Sequence, residues 1–247
     1  MIPERKFERD GTQHQVSIGA GEVMLEGVLC LPESSAGIVL FAHGSGSSRF
    51  SPRNQYVAGV LQSNGIATLL FDLLTAEEDA LDQATAALRF DIKFLTRRFV
   101  AALEDITHSP ALQGLPVGCF GASTGAAAAL VAAAELPEVV SAVVSRGGRP
   151  DLAGDALMSV RAPTLLIVGG NDEPVIALNR QALAKLGSRE KQLIIIPGAT
   201  HLFEEPGTLE QVSKHAMEWF LRHFMRVKEP HGRHREALRT RDKRTPQ

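Results

Sequence analysis

Short runs that are apolar throughout, rich in Val, Ile and Leu and bounded by Gly, Pro or polar residues, recur along the chain with longer helix-like stretches between them. Strands are predicted at 15–18, 23–29, 37–42, 67–71, 116–120, 139–144, 164–168 and 192–196. The first two lie close enough to form a hairpin. Runs such as Gly-Ile-Val-Leu-Phe-Ala and Leu-Ile-Ile-Ile do not alternate apolar with polar, which is the pattern of strands covered by helices on both faces. Helices are predicted at 52–63, 90–106, 124–135, 175–186 and 208–224, with Pro52 and Pro174 near helix starts, where a missing N–H costs little. Strand and helix in alternation define an α/β class: a doubly wound, mostly parallel eight-stranded sheet with helices on both faces.

In such sheets ligands gather outside the carboxyl ends of the strands. Those ends carry His43-Gly44-Ser45-Gly46, Asp72, Gly121-Ala122-Ser123-Thr124-Gly125, Arg146, Asp172 and His201. The Gly121 to Gly125 stretch matches Gly-x-Ser-x-Gly between an apolar strand and an Ala-rich helix, the context of a nucleophile held on a sharp turn. Glycines two before and two after the serine are expected where neighbouring chains come too close for a Cβ.

A serine hydroxyl is a weak nucleophile near neutral pH, so a base must take its proton and an acid must orient that base. His201 follows the last predicted strand and Asp172 the one before it, giving the chain order Ser, Asp, His. Glu173 is the rival acid, and the shorter arm at the strand end favours Asp172. Ser123 and Asp172 each have a plainer reading as a helix cap. Two N–H donors are needed for the oxyanion; Thr124 supplies one and the glycine-rich loop supplies the other, at Ser45. His43 is read as a support for that loop and Asp72 as a rim or structural carboxylate. Arg49, Arg53 and Arg146 lie where they could overhang Ser123, which makes an anionic group on the substrate an expectation; the plainer reading pairs them with carboxylates such as Asp72 or Asp151.

With His-Gly-Ser-Gly-Ser, Gly-Ala-Ser-Thr-Gly, Asn-Asp-Glu-Pro-Val and Gly-Ala-Thr-His-Leu-Phe in place, the sequence resembles the α/β-hydrolase superfamily over residues 15–226. Within it the chain is most similar to the lidless, dienelactone-hydrolase-like branch. That resemblance implies ester hydrolysis without a cofactor or metal. It departs from true dienelactone hydrolases in one place, since they use a cysteine nucleophile where this chain has Ser123; Cys119 lies within the preceding strand. Only about twenty residues separate the sixth and seventh predicted strands, too few for a large lid. An open pocket follows, suited to small soluble esters or lactones rather than to a lipase with interfacial activation. The same triad would also serve a thioesterase or amidase.

Composition narrows the rest. At 247 residues one domain is expected, spanning 1–226, followed by a basic tail at 227–247. Residues 228–247 hold seven Lys/Arg against three Asp/Glu, leaving 19 against 25 elsewhere. An acidic body is unsuited to nucleic acid, and the polar tail has the composition of a disordered extension. No apolar stretch reaches the roughly 20 residues a membrane helix needs. Residues 1–10 lack a signal-peptide core, so a cytoplasmic protein is expected. Cys30 and Cys119, the two cysteines, are read as buried thiols. A rival from another class is a non-catalytic interaction module on the same scaffold, with the tail as its binding element.

Overall fold

The computed structural model describes residues 7–228. Eight strands form one sheet: β1 Gln13–Ala20, β2 Val23–Cys30, β3 Ile38–Ala42, β4 Ala67–Phe71, β5 Val117–Ala122, β6 Val140–Arg146, β7 Thr164–Gly169 and β8 Lys191–Ile196, in the order β1-β2-β4-β3-β5-β6-β7-β8. All eight predicted strands are present, and β1 with β2 makes the expected hairpin. Its register runs from Gln13 opposite Cys30 to Ala20 opposite Val23, and Gly21 takes φ +71° in the two-residue turn. β2 is also antiparallel to β4, and every pair from β4 onward is parallel.

Helices α1 Pro52–Ser63 and α6 Thr208–Lys228 cover one face of the sheet. The other face is covered by α3 Ile92–His108, α4 Thr124–Glu135, α5 Glu173–Lys185 and a 3-10 segment, Pro150–Ser159. Every residue of β3, β4, β5 and β7 is buried, which is why these strands show no alternation. α4 is buried almost all round, against the sheet, α3 and the 3-10 segment. Its run of alanines lets it approach all three.

Two elements were absent from the sequence reading. One is α2 Ala76–Thr85, the other the 3-10 segment, which fills residues 147–163 between β6 and β7 without forming a lid. α2 had a legible start, because Thr75 and Glu78 form a reciprocal capping box, side chain to backbone in both directions. The expected boundary between body and tail, after 226, falls inside α6, which continues to Lys228. The remainder of the tail lies outside the described residues.

Because β4 and β5 flank β3 on opposite sides, the chain reverses its direction of winding there, and the crevice opens at the carboxyl ends of β3 and β5. The residues after those two strands are His43 to Ser48 and Ser123.

Candidate active site

Ser123 joins β5 to α4 with φ 51° and ψ −123°, a conformation that costs a residue with a side chain of order 1–3 kcal/mol. The surroundings hold it there. Ser123 N–H donates to the Arg146 carbonyl (3.3 Å), and the Ser123 carbonyl accepts from the amides of Arg149 (3.0 Å) and Ala126 (3.2 Å). The flanking glycines meet backbone on both sides: a Cβ on Gly121 would stand 2.7 Å from Ala126 N and 2.8 Å from the Gly125 carbonyl oxygen. A Cβ on Gly125 would stand 2.7 Å from the Ala42 carbonyl carbon. The serine side chain makes no capping bond to α4, so the helix-cap reading of Ser123 has no counterpart here.

Asp172 and His201 are brought together by two loops that need glycine to meet. A Cβ on Gly169 would stand 2.5 Å from the Thr200 carbonyl oxygen. With that approach open, Gly170 N–H donates to Ile196 O, Asn171 N–H to Ala199 O and Asn171 Nδ2 to Gly198 O, at 2.8–3.0 Å. The two loops are thus tied by backbone bonds, and His201 Nδ1 donates to Asp172 Oδ2 at 2.7 Å. Asp172 makes no side-chain cap to α5, and Glu173 is the first residue of that helix. A proton on Nδ1 leaves Nε2 as an acceptor. No hydrogen bond joins Ser123 to His201 among the described residues. They meet through the β6 end instead, where Arg146 O holds Ser123 N–H while Gly147, at φ +50°, lies against the His201 ring and carbonyl.

The third part is the loop after β3. Gly44 packs on Ser123, a Cβ there falling 3.0 Å from the serine Cβ. His43 is buried, and its Nε2 accepts the Leu73 amide (3.0 Å), so the ring proton resides on Nδ1 and donates to the Gly44 carbonyl (3.0 Å). That carbonyl and the Ser45 N–H share one trans peptide plane, so fixing one aims the other in the opposite direction. Burial pushes the His43 pKa down, against the pull of the Gly44 bond and of Asp72 and Asp79. The Ser45 hydroxyl contacts Thr124 Oγ1 (2.9 Å), so the two expected oxyanion residues touch.

The three arginines divide. Arg49 donates from backbone and side chain to Asp72, and its guanidinium sits 4.3 Å over the Phe50 ring. Arg53 pairs with Glu204 (3.2 Å), and Arg149 forks onto Asp151 (2.9 and 2.8 Å). Arg146 is different. It is 7% exposed, reaches only Asn54 Oδ1 (3.4 Å), leaves Nε and Nη1 without partners and has no carboxylate beside it among the described residues. Burial and the neighbouring Arg53 pull its pKa down to about 10, which leaves it charged near neutrality. Cys30 and Cys119 are buried and free, and burial raises the Cys119 thiol well above its usual range. Beside the β3 loop a concavity of about 650 Å³ is lined by Met24, His43, Ser47, Phe50, Leu74 and Glu77, among others.

Comparison with known proteins fits this arrangement. The dienelactone hydrolase family matches residues 25–228. The chain belongs to the dienelactone hydrolase family. The crystal structure of a dienelactone hydrolase from Anabaena variabilis is 61% identical, with a TM-score of 0.84 over 86% of this chain and 98% of that one. A lidless α/β serine hydrolase from Xanthomonas campestris shares the fold at 21% identity, TM-score 0.66, covering 88% and 95% of the two chains. A Mycobacterium tuberculosis protein named "Putative phosphoribosyl transferase" is 58% identical over 210 residues, which are 85% of this chain and 46% of that protein. The chain therefore spans about half the length of the curated relatives it matches. Family and fold support a hydrolase.

Proposed function

We propose that this member of the dienelactone hydrolase family is a serine hydrolase that cleaves small, soluble carboxylic esters or lactones through an acyl-enzyme. One observation carries the reading: a serine held at φ 51° by backbone contacts at the end of β5, linked across the β6 end to a histidine whose Nδ1 is bonded to a carboxylate. Ser123 attacks the carbonyl, His201 Nε2 takes its proton and returns it to the leaving group, and Asp172 holds the ring and stabilises the imidazolium. The amides of Ser45 and Thr124 receive the developing oxyanion, and His43 aims the first of them by holding the Gly44 carbonyl. Water then releases the acid.

The uncompensated Arg146 cation supports an anionic group on the substrate, since a carboxylate supplies two acceptors for a guanidinium fork. Arg49 and Arg53 are already committed to carboxylates and are left out of that role. Residues 147–163 form a buried turn and a short 3-10 segment rather than a lid, which fits soluble substrates. No helix among the described residues is long and apolar enough to cross a membrane. Two buried, unpaired cysteines fit a reducing compartment, in keeping with a cytoplasmic enzyme. The name of the mycobacterial relatives belongs to proteins about twice this length, and phosphoribosyl transfer is not assigned to the part shared here.

The test is hydrolysis of p-nitrophenyl acetate together with covalent labelling by a fluorophosphonate. Ser123→Ala is expected to abolish labelling and to lower kcat by 10³-fold or more, roughly the scale of losing a triad nucleophile. Undiminished turnover in that variant would refute the assignment. A wild-type protein that takes no label, combined with salt-sensitive partner binding lost on deleting 228–247, would favour the interaction-module reading.

A further inference from the structure

One buried carboxylate near the site has no part in the hydrolytic scheme. Asp82, on α2, is 1% exposed, and the turn that follows it is wound around this single residue. Its Oδ1 accepts the amides of Leu88 (2.7 Å) and Arg89 (3.0 Å), and its Oδ2 accepts Arg89 Nε (2.6 Å). Its main-chain carbonyl accepts Ala86 N–H (2.7 Å) and Arg89 Nη2 (2.6 Å). Ala86 takes φ 53° to make the turn, a left-handed conformation that a non-glycine residue keeps only when its surroundings impose it. α2 is itself secured at its start, because the capping residue Glu78 also accepts from Arg98 on α3 (2.7 Å).

What this turn holds in place is a carbonyl. Arg89 O accepts the Ser45 hydroxyl (3.2 Å), and the Ser45 Oγ lies 2.9 Å from Thr124 Oγ1. The Ser45 proton is committed to Arg89 O, so the Thr124 hydroxyl donates to Ser45, giving a directed chain from Thr124 through Ser45 to Arg89. At one end are the two residues whose amides serve the oxyanion; at the other is a peptide pinned by a buried carboxylate. The loop between them needs such an anchor, because Gly44 and Gly46, the latter at φ +65°, leave its backbone soft. His43 fixes the Gly44–Ser45 peptide from one side, and nothing on β3 fixes the Ser45 side chain from the other.

We propose that Asp82 is a positioning residue for the oxyanion hole, setting the Ser45 and Thr124 amides through the Arg89 carbonyl and the Ser45 hydroxyl. The proposal rests on the serine-hydrolase reading of the site. A merely structural Asp82 would join α2 to α3 and affect stability while leaving the chemical step alone. A positioning Asp82 acts on kcat with little change in KM, because the oxyanion forms only on the way to the tetrahedral intermediate.

The experiment compares Asp82→Asn, Ser45→Ala and the double variant, measuring kcat and KM on p-nitrophenyl acetate, the rate of fluorophosphonate labelling and the melting temperature. Ser45→Ala keeps the amide and removes only the hydroxyl link. Each single variant is expected to lower kcat and the labelling rate about 5- to 30-fold with KM within about twofold, a fraction of the 10²–10³ lost when an oxyanion donor is removed. The double variant should be no slower than the slower single one, since both cut the same chain. Should Asp82→Asn fold poorly, Asp82→Glu, which keeps the charge at a displaced position, is measured instead and should show the same split. Wild-type kcat in the Asp82 variant, or losses that multiply in the double variant, would overturn the proposal. Full turnover in Ser123→Ala would instead overturn the hydrolytic reading, and that variant is run alongside to tell the two failures apart.

Discussion

Adding one methyl group at Gly125 tests whether the elbow is set by backbone contact. An alanine Cβ there would lie 2.7 Å from the Ala42 carbonyl carbon and nearer still to the Ala42 and His43 carbonyl oxygens, so it must retreat by more than about 0.7 Å to reach the 3.4 Å of ordinary contact. The obstacles are the carbonyls of Ala42 and His43, backbone at the end of β3, so no side chain can rotate away. Either α4 lifts from the sheet or the β3 end bends, and both move Ser123 relative to the Ser45 loop. Overpacking of this kind costs about 1–3 kcal/mol, which for a chain of this size lowers Tm by about 2–12 °C. Misplacement by 1 Å can cost about 10²-fold in rate, so kcat should fall roughly 10- to 100-fold. Gly59→Ala is the matched control: it lies inside α1 with nothing within 4 Å of the new Cβ, and should raise stability by about 0.5–1 kcal/mol with kcat unchanged. Ester turnover and thermal melting on both variants decide the matter. If Gly125→Ala turns over and melts like the parent, backbone crowding does not set the position of Ser123.

Asp172→Asn should keep the fold and lower kcat by about 10³- to 10⁴-fold, because the amide no longer fixes the His201 tautomer; a loss below tenfold would argue that another group orients the ring. Stability should fall as pH is lowered from 7.5 to 5. His43 and His223 both have folded pKa values pushed below the ordinary 6.5 by burial, so the unfolded chain binds protons first and the stability tied to their neutral forms is lost below about pH 6.5. His43→Gln should lessen that slope in thermal melts, and a Tm flat over the range would refute the argument. Arg146→Met should raise Tm, since an unpaired buried cation carries an uncompensated desolvation cost. The same variant should lose kcat/KM on a carboxylate-bearing ester more than on its neutral isostere, and equal losses would remove Arg146 from substrate binding.

β3, β4, β5 and β7 were legible because their burial on both faces leaves no polar position to interrupt the apolar runs, whereas the apolar run of β8, read as covered on both faces, lies on the sheet edge with most of its residues partly or fully exposed. Edge elements were read less well. β1 was predicted four residues too short, at 15–18 against Gln13–Ala20, because its half-exposed residues carry Gln, His and Gly that any surface loop also carries. α2 was missed for a related reason. It buries only Asp82, so no apolar stripe marked it, and its sole signal was the Thr75 and Glu78 box. The candidate triad was legible because its chemistry demands particular residue types at particular strand ends. The arginines were legible in part: the plainer pairing with Asp72 holds for Arg49, but Arg53 meets Glu204 and Arg146 no carboxylate among the described residues, because a guanidinium's role depends on which carboxylate it meets, and that is settled between loops more than twenty residues apart.

That difference follows from what holds the site together. Ser123, Asp172 and His201 are not placed by their own side-chain preferences but by approaches of main chain to main chain. α4 lies against the β3 end at Gly125, the β7 end against the β8 loop at Gly169, and the β6 end against His201 at Gly147. Each approach is closed to any residue with a Cβ or takes a positive φ, so the glycines write the geometry into the sequence as plainly as the reactive groups write the chemistry. The β3 loop follows the opposite rule. Its glycines loosen it, and it is held by side chains reaching in from elsewhere: His43 to Leu73, and Ser45 to Arg89 and Thr124. A serine, a histidine and an aspartate on rigid strand ends fit a nucleophile that must stay strained. Ser45, the proposed oxyanion donor on this loop clamped from three directions, is where substitutions far from the bond being cleaved are expected to have the most leverage on rate.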